Sequence, residues 1–212
     1  MTAASQLGYD DLPALLGRMT GDEKHSPAAF STLDVLWVLY DRVLCDSDRF
    51  LLSKGHGPNA YYAVLAAKGL IPVDDLDSFG SFESPLGYHP DRVVLPAATI
   101  SSGSLGHGLP IAVGVALSGR RTFVLVGDGE LDEGSNWEAV QYAGRIRLAR
   151  LTAVVVDNAS ATYGWPGGIE QRFALEGWWA NRVDGRDHEA LATALNDEHP
   201  DAPACVVAEI HR

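Results

Sequence analysis

Residues 122–134 read Thr-Phe-Val-Leu-Val-Gly-Asp-Gly-Glu-Leu-Asp-Glu-Gly, and this stretch decides the fold. The run Thr122–Val126 is short, apolar and rich in β-branched residues, the pattern of a strand buried on both faces. Gly127 and Gly129 close it without side chains, so the backbone can approach a phosphate and offer it N–H groups. Asp128 between them is a carboxylate at a strand end, a common ligand of Mg²⁺ alongside phosphate oxygens. A helix from about Asn136 turns its positive end toward the same place. A second run, Thr152–Val156, ends in Asp157-Asn158, and Asn158 stands thirty positions after Asp128. That interval fits one strand–helix–strand crossover, which brings the Asp128 and Asn158 oxygens to one sheet edge. A metal could sit between them, completed by a backbone carbonyl near Ser160. Alone, Gly-Asp-Gly reads as a tight turn and Asp-Asn as a cap. As a pair one crossover apart they favour a Mg²⁺-diphosphate site. A dinucleotide site is disfavoured, because no Gly-x-Gly-x-x-Gly opens a helix after a strand.

Outward from this segment the pattern repeats. Further strands are expected at Trp179–Val183 and Cys205–Ile210, with helices near Asn136–Arg147, Ile169–Leu175 and His188–Leu195. Such alternation implies an α/β fold with a mostly parallel sheet and helices on both faces, and ligands beyond the carboxyl ends of its strands. Upstream, Leu33, Leu36, Trp37, Tyr40 and Leu44 recur at helical spacing behind Ser31 and Thr32, either of which suits a cap. Phe50–Leu52 reads as a strand, and Pro58 opens a helix that Gly69 ends. From Val73 to Gly103 the chain is irregular, a length that points to function or mobility. Ser104–Ser118 reads as a helix despite its glycines.

The composition fits one α/β domain spanning residues 1–212: 46% of residues are hydrophobic and 21% charged. A net charge of −12 argues against nucleic acid and against anionic membrane surfaces as partners. No apolar run approaches the roughly 20 residues of a membrane span. Asp10 and Asp11 open a start with no secretory character, so the expected location is the cytoplasm. Cys45 and Cys205 are far apart in apolar contexts and read as buried free thiols of a reducing compartment. His188, His199 and His211 read as ordinary surface residues, and Trp137, Trp178 and Trp179 as packing residues.

Gly-Asp-Gly followed by Asn some thirty residues on resembles the thiamine-diphosphate signature, and other segments extend the likeness to the transketolase family. His25-Ser-Pro-Ala-Ala-Phe-Ser resembles the family's Gly-His-Pro-Gly-Gly-Ser-Leu-Ser. Leu52-Ser-Lys-Gly-His-Gly57 matches its Ser-Lys-Gly-His. Gly87-Tyr-His-Pro90 is similar to its Gly-His-Pro with one residue inserted. Ser102-Gly-Ser-Leu-Gly-His-Gly-Leu109 resembles Thr-Gly-Ser-Leu-Gly-Gln-Gly-Leu, and Gly127–Gly134 matches Gly-Asp-Gly-Glu-Leu-x-Glu-Gly. The likeness is to the N-terminal, diphosphate-binding domain, especially the small subunits of two-component transketolases, and runs from about Met19 to Ile210.

The resemblance implies a three-layer thiamine-diphosphate-binding fold and a set of roles. Asp128, Asn158 and the Ser160 carbonyl would bind Mg²⁺, for which Ca²⁺ or Mn²⁺ could substitute. Gly127, Gly129 and Glu130 would belong to the cofactor-binding segment, with the Gly129 N–H on the diphosphate. His56 would contact the diphosphate, and Gly103 and Leu105 would line the cofactor near its rings. His25 and His89 would face the reacting carbons of the sugar, where imidazoles suit proton transfer near neutral pH. Glu133 corresponds to a family glutamate at a dimer interface that couples two cofactor sites. His107 replaces the family's glutamine and carries no proton role.

The family's chemistry also needs a pyrimidine-binding and C-terminal half. The expectation is therefore a subunit inactive alone that joins a separately encoded partner, as an α₂β₂ heterotetramer. It would move a two-carbon ketol unit from a ketose (phosphate) donor to an aldehyde or other acceptor. Two alternatives remain open at this point: transfer to a lipoyl or carrier-protein thiol in a biosynthetic pathway, and a non-catalytic cofactor-binding regulator. Departures from the pattern are Ala28 and Ala29 in place of two glycines, the short connection Tyr163–Gly168 after Asn158, and no Lys-Gly-Lys-Gly loop after Ile210.

Overall fold

The computed structural model describes residues 7–22 and 26–210. A five-stranded, wholly parallel sheet forms its centre. The strands are β1 (Arg49–Leu52), β2 (Thr122–Gly127), β3 (Leu151–Asp157), β4 (Trp179–Asp184) and β5 (Ala204–Glu209), in the spatial order β1-β2-β3-β5-β4. β2 and β3 are buried almost throughout. Their β-branched residues suit a pleated surface packed on both sides. β4 is an edge strand with an intermediate-to-exposed pattern, which matches its mixed composition of Trp, Asn, Arg and Asp.

Side-chain alternation divides the core into two layers. Phe123, Leu125, Val154, Val156, Val206 and Ala208 point to one face. There they meet α1 (Leu12–Arg18), α2 (Ser26–Val38), α3 (Asn59–Ala67) and α7 (His188–Asn196). Val124, Val126, Ala153, Val155, Cys205 and Val207 point to the other, against α4 (Gly108–Leu117), α5 (Gly134–Arg145) and α6 (Ile169–Leu175). This is the expected three-layer α/β architecture. Because β1, β2 and β3 are neighbours, their carboxyl ends at Leu52, Gly127 and Asp157 share one edge, beyond which ligands bind in such sheets.

Trp137 and Trp178 pack as expected: each indole N–H donates to a backbone carbonyl, of Leu131 and Val140, and both rings meet Phe173. Trp179 packs from the other face. Pro58 precedes α3, and Gly69 follows it with φ +69°.

Other expectations need correction. Ser31 and Thr32 do not cap α2, which already starts at Ser26. Their hydroxyls donate to the carbonyls of Ala28 and Ala29 one turn back, a common use of Ser and Thr inside helices. α4 starts at Gly108 rather than Ser104, because Gly103 (φ +144°) and Gly106 (φ +81°) hold the preceding chain outside helical geometry. Cys205 is buried but Cys45 is exposed, in the turn before β1. His188 is no ordinary surface residue, since its Nε2 lies 2.8 Å from the buried Asp34 carboxylate, which also takes bonds from Tyr9 and Arg186. His199 stacks on Trp179 at 3.8 Å. His211 lies outside the described residues.

Candidate functional site

Three strand ends and two irregular segments meet at the shared edge. From β2, Asp128 turns inward and is 1% exposed. Its carboxylate takes the Ser160 N–H at 2.7 Å, the Ser160 hydroxyl at 2.6 Å and the Ala161 N–H at 3.0 Å. The connection after β3 is thereby folded back onto the Gly-Asp-Gly turn. It touches that turn closely: a Cβ on Gly129 would stand 3.4 Å from the Ser160 carbonyl oxygen. Asn158 donates through Nδ2 to the Ser31 hydroxyl of α2 at 3.2 Å. Its Oδ1 is buried and has no partner.

These residues fit a magnesium ion. An orphaned buried amide oxygen is costly unless something bonds it, and Asn158 Oδ1 is such an atom at a sheet edge. A carboxylate has about four lone-pair sites, and three hydrogen bonds occupy those of Asp128, so capacity remains. The set would be one carboxylate, one amide oxygen and one carbonyl, all hard oxygens of the kind Mg²⁺ prefers, and sparse enough to need phosphate oxygens as well. Among the described residues there is no cluster of three or more His, Cys, Asp or Glu suited to a metal.

Beneath the turn lies a buried polar network. Glu130, 2% exposed, accepts the Ser53 hydroxyl, the Gly106 N–H at 2.9 Å and the Gly127 N–H at 3.4 Å. Ser53 in turn accepts the Gly108 N–H at 3.0 Å. Gly108 has to be glycine, since a Cβ there would stand 2.2 Å from Ser53 Oγ. Glu130 thus ties β1, β2 and the segment before α4 together through its three protein donors. Burial raises its pKa, opposed by these hydrogen bonds and by Lys54.

Lys54 is the residue that sequence reasoning missed. It is 5% exposed, lays its stem against Gly127, and donates from Nζ to the Ala28 carbonyl at 3.0 Å. Burial lowers its pKa to about 8, against the pull of Glu130 and Asp128. A lysine between the apolar end of a strand and a glycine was the available signal. Such a cation cannot reach bulk water, so it belongs to a negatively charged neighbourhood.

The remaining residues fall in two groups. His56 is half-buried just after β1. The adjacent Gly55 abuts Ser102 and Gly103, and Gly103 abuts the His89 ring. The structure therefore gathers the His56 segment, Gly103 and His89 on one rim, with His89 and Leu105 exposed. Glu133, expected as an interface residue, is exposed just ahead of α5, with its Cβ against Gly106. His25 lies outside the described residues. Arg182 on β4 joins the ends of three strands: it bonds Asp157 at 2.9 Å and Glu209 at 3.3 Å, and reaches Glu170 of α6 at 2.9 Å.

A three-layer parallel domain with a carboxylate-amide-carbonyl cradle at its edge defines a diphosphate-binding α/β protein. Comparison with known proteins narrows the class. Residues 25–208 match the family model described as transketolase, thiamine diphosphate binding domain, and the chain belongs to that family. A protein named "Ferredoxin fas2" from Rhodococcoides fascians is 54% identical, covering 98% of this chain and 74% of that one. One of the subunits of the apulose-4-phosphate transketolase from Actinobacillus succinogenes is 34% identical over 86% of this chain and 74% of its own length. The transketolase from Leishmania mexicana superposes with a TM-score of 0.74 at 24% identity, covering 96% of this chain and 37% of that one, so the fold is shared. The chain thus spans little more than a third of that solved transketolase.

Proposed function

We propose that this chain is the diphosphate-binding subunit of a split, transketolase-like transferase of the cytoplasm. It would move a two-carbon ketol unit from a ketose (phosphate) donor to an aldehyde or related acceptor, using thiamine diphosphate and Mg²⁺. The observation that carries the reading is the buried, partnerless Asn158 Oδ1 beside the Asp128–Ser160 contact. Asp128, Asn158 and the Ser160 carbonyl would hold the metal, and Gly129 would offer its N–H to the diphosphate, with Gly127 leaving room for the backbone's approach and His56 beside it. When bound, the cofactor supplies the carbon nucleophile that accepts the two-carbon unit. His89, with His25, would move protons to and from substrate hydroxyls, and Gly103 and Leu105 would line the cofactor.

A partner subunit is part of the proposal. Relatives are named as single subunits of transketolases. α4 is apolar on nearly every side, yet Ile111 and Leu117 are exposed, as are Tyr142 and Ile146 at the end of α5. Exposed apolar residues grouped on adjacent helices support an interface. Glu133, at the start of α5, would lie at that interface and couple two cofactor sites within an α₂β₂ assembly.

The test is a ketol-transfer assay with a ketose phosphate donor and an aldose phosphate acceptor, run with and without the co-expressed partner subunit. Turnover only in the pair is expected. Full turnover from this chain alone would overturn the split arrangement.

A further inference from the structure

The connection after β3 also covers a second concavity. A cavity of about 360 Å³ opens between the 129–132 turn, α5 and residues 163–172, with Leu131, Asp132, Trp137, Tyr163, Trp165 and Arg172 among its walls. The Trp137 and Trp165 rings meet at a centroid distance of 5.5 Å. The Arg172 guanidinium lies 5.6 Å from one ring and 5.1 Å from the other. Among the described residues Arg172 has no hydrogen-bond or ion-pair partner, only these ring contacts. The Trp165 Nε1 is buried and lacks an acceptor as well. The cavity therefore combines aromatic walls, of which Tyr163 is largely exposed, with two donors that lack a protein acceptor: the solvent-exposed Arg172 guanidinium beside the indole rings and the buried Trp165 N–H. Its acidic residue, Asp132, takes the Thr162 N–H at 3.3 Å.

We propose that this cavity binds a small ring compound bearing one oxyanion group, a carboxylate or a phosphate monoester. The ring would lie against Trp137, Tyr163 and Trp165. The oxyanion would take the N–H groups of Arg172 and Trp165, an arrangement in which guanidinium is favoured over ammonium. Asp132 opposes a second acidic group and favours a ligand hydroxyl. The cavity also has a link to the diphosphate edge, and this part rests on the function proposed above. One wall follows directly on Asp128, and the other follows the Ser160–Ala161 N–H groups that hold Asp128. A ligand touching both walls favours that closed arrangement, so each site tightens the other by the same factor.

The test is titration of the full chain, free of cofactor, with benzoate, phenyl phosphate and the neutral benzyl alcohol, read by calorimetry and tryptophan fluorescence. Saturable binding of benzoate or phenyl phosphate is expected, the stronger of the two identifying the oxyanion source, with benzyl alcohol at least about tenfold weaker. Arg172→Gln should weaken the anion by about tenfold or more, and Trp165→Phe, which keeps a ring and removes the N–H, by a few-fold. Absence of saturation by about 10 mM, wild-type affinity in both variants, or equal binding of benzyl alcohol would each overturn the proposal. If Arg172→Gln does not fold by circular dichroism, Trp165→Phe and the benzyl alcohol comparison decide. Saturating anion should also tighten Mg²⁺-dependent thiamine diphosphate binding by about threefold. Anion binding with unchanged cofactor affinity would sink the coupling alone. Anion binding with no cofactor binding even when the partner subunit is present would sink the functional reading and leave the cavity assignment standing.

Discussion

Glu130→Gln is the sharpest test of the floor beneath the site. The carboxylate accepts three donors, from Ser53, Gly106 and Gly127, in a place 2% exposed. An amide can present its oxygen to Ser53 and Gly106, which both bond Oε1. Its NH₂ then faces the Gly127 N–H, donor against donor. One buried N–H left unmade costs about 1–3 kcal/mol, and Lys54 loses the larger of its two favourable charge neighbours. The expected loss is about 2–3 kcal/mol, or roughly 4–12 °C in Tm for a domain of this size. Glu130→Ala strands all three donors and should cost more, about 3–5 kcal/mol. Urea unfolding followed by far-ultraviolet circular dichroism measures both. A Gln variant as stable as the parent would refute the claim that Glu130 joins β1, β2 and the segment before α4 through its charge and its full set of acceptors.

Other expectations follow from the same geometry. Lys54 has a folded pKa of about 8 against an ordinary 10.5, so between those values the unfolded chain binds more protons. Cofactor-free stability should therefore rise with pH across about 8 to 10.5, by up to about 3 kcal/mol. Lys54→Met should flatten that rise in a set of denaturation curves; an unchanged slope would remove Lys54 as its source. Arg182→Gln leaves Asp157, Glu170 and Glu209 facing one another. It should lower Tm by several degrees and weaken Mg²⁺-dependent thiamine diphosphate binding about tenfold through the displaced 158–161 segment; unaltered affinity in calorimetry would make Arg182 a purely structural residue. Gly144→Ala would put a Cβ 1.8 Å from the Glu176 carbonyl oxygen, and overpacking of that kind should cost about 1–3 kcal/mol in a urea titration.

The fold is legible in the sequence because it depends on local pattern, and so is the meeting of Asp128, Asn158 and Ser160 at one sheet edge. Apolar strands such as Phe123–Val126 have few other ways to fold, and Asp128 and Asn158 follow their strands directly. Features built from residues distant in sequence are not legible. Nothing around Glu130 shows that Gly106 and Ser53 converge on it, since those contacts span 24 and 77 positions. Lys54 stands inside the Ser-Lys-Gly-His motif, and its place between an apolar strand end and a glycine is the one local sign of burial; the burial itself depends on α2 packing over the sheet. Ser31 looks like a cap by residue type, and only the position of Asn158 reveals it as a partner at the sheet edge. His188 and His199 read as surface residues for the same reason: Asp34 and Trp179, which hold them, come from other elements.

Asp128 and Asn158 are proposed to hold the metal of a bound diphosphate. Calorimetric titration of thiamine diphosphate in Mg²⁺, into the parent chain and Asp128→Ala, each with its partner subunit, tests it most directly. Saturable, Mg²⁺-dependent binding to the parent is expected, abolished by chelation and weakened at least about a hundredfold in Asp128→Ala. Equal affinity in the two proteins, or binding indifferent to Mg²⁺, would contradict it.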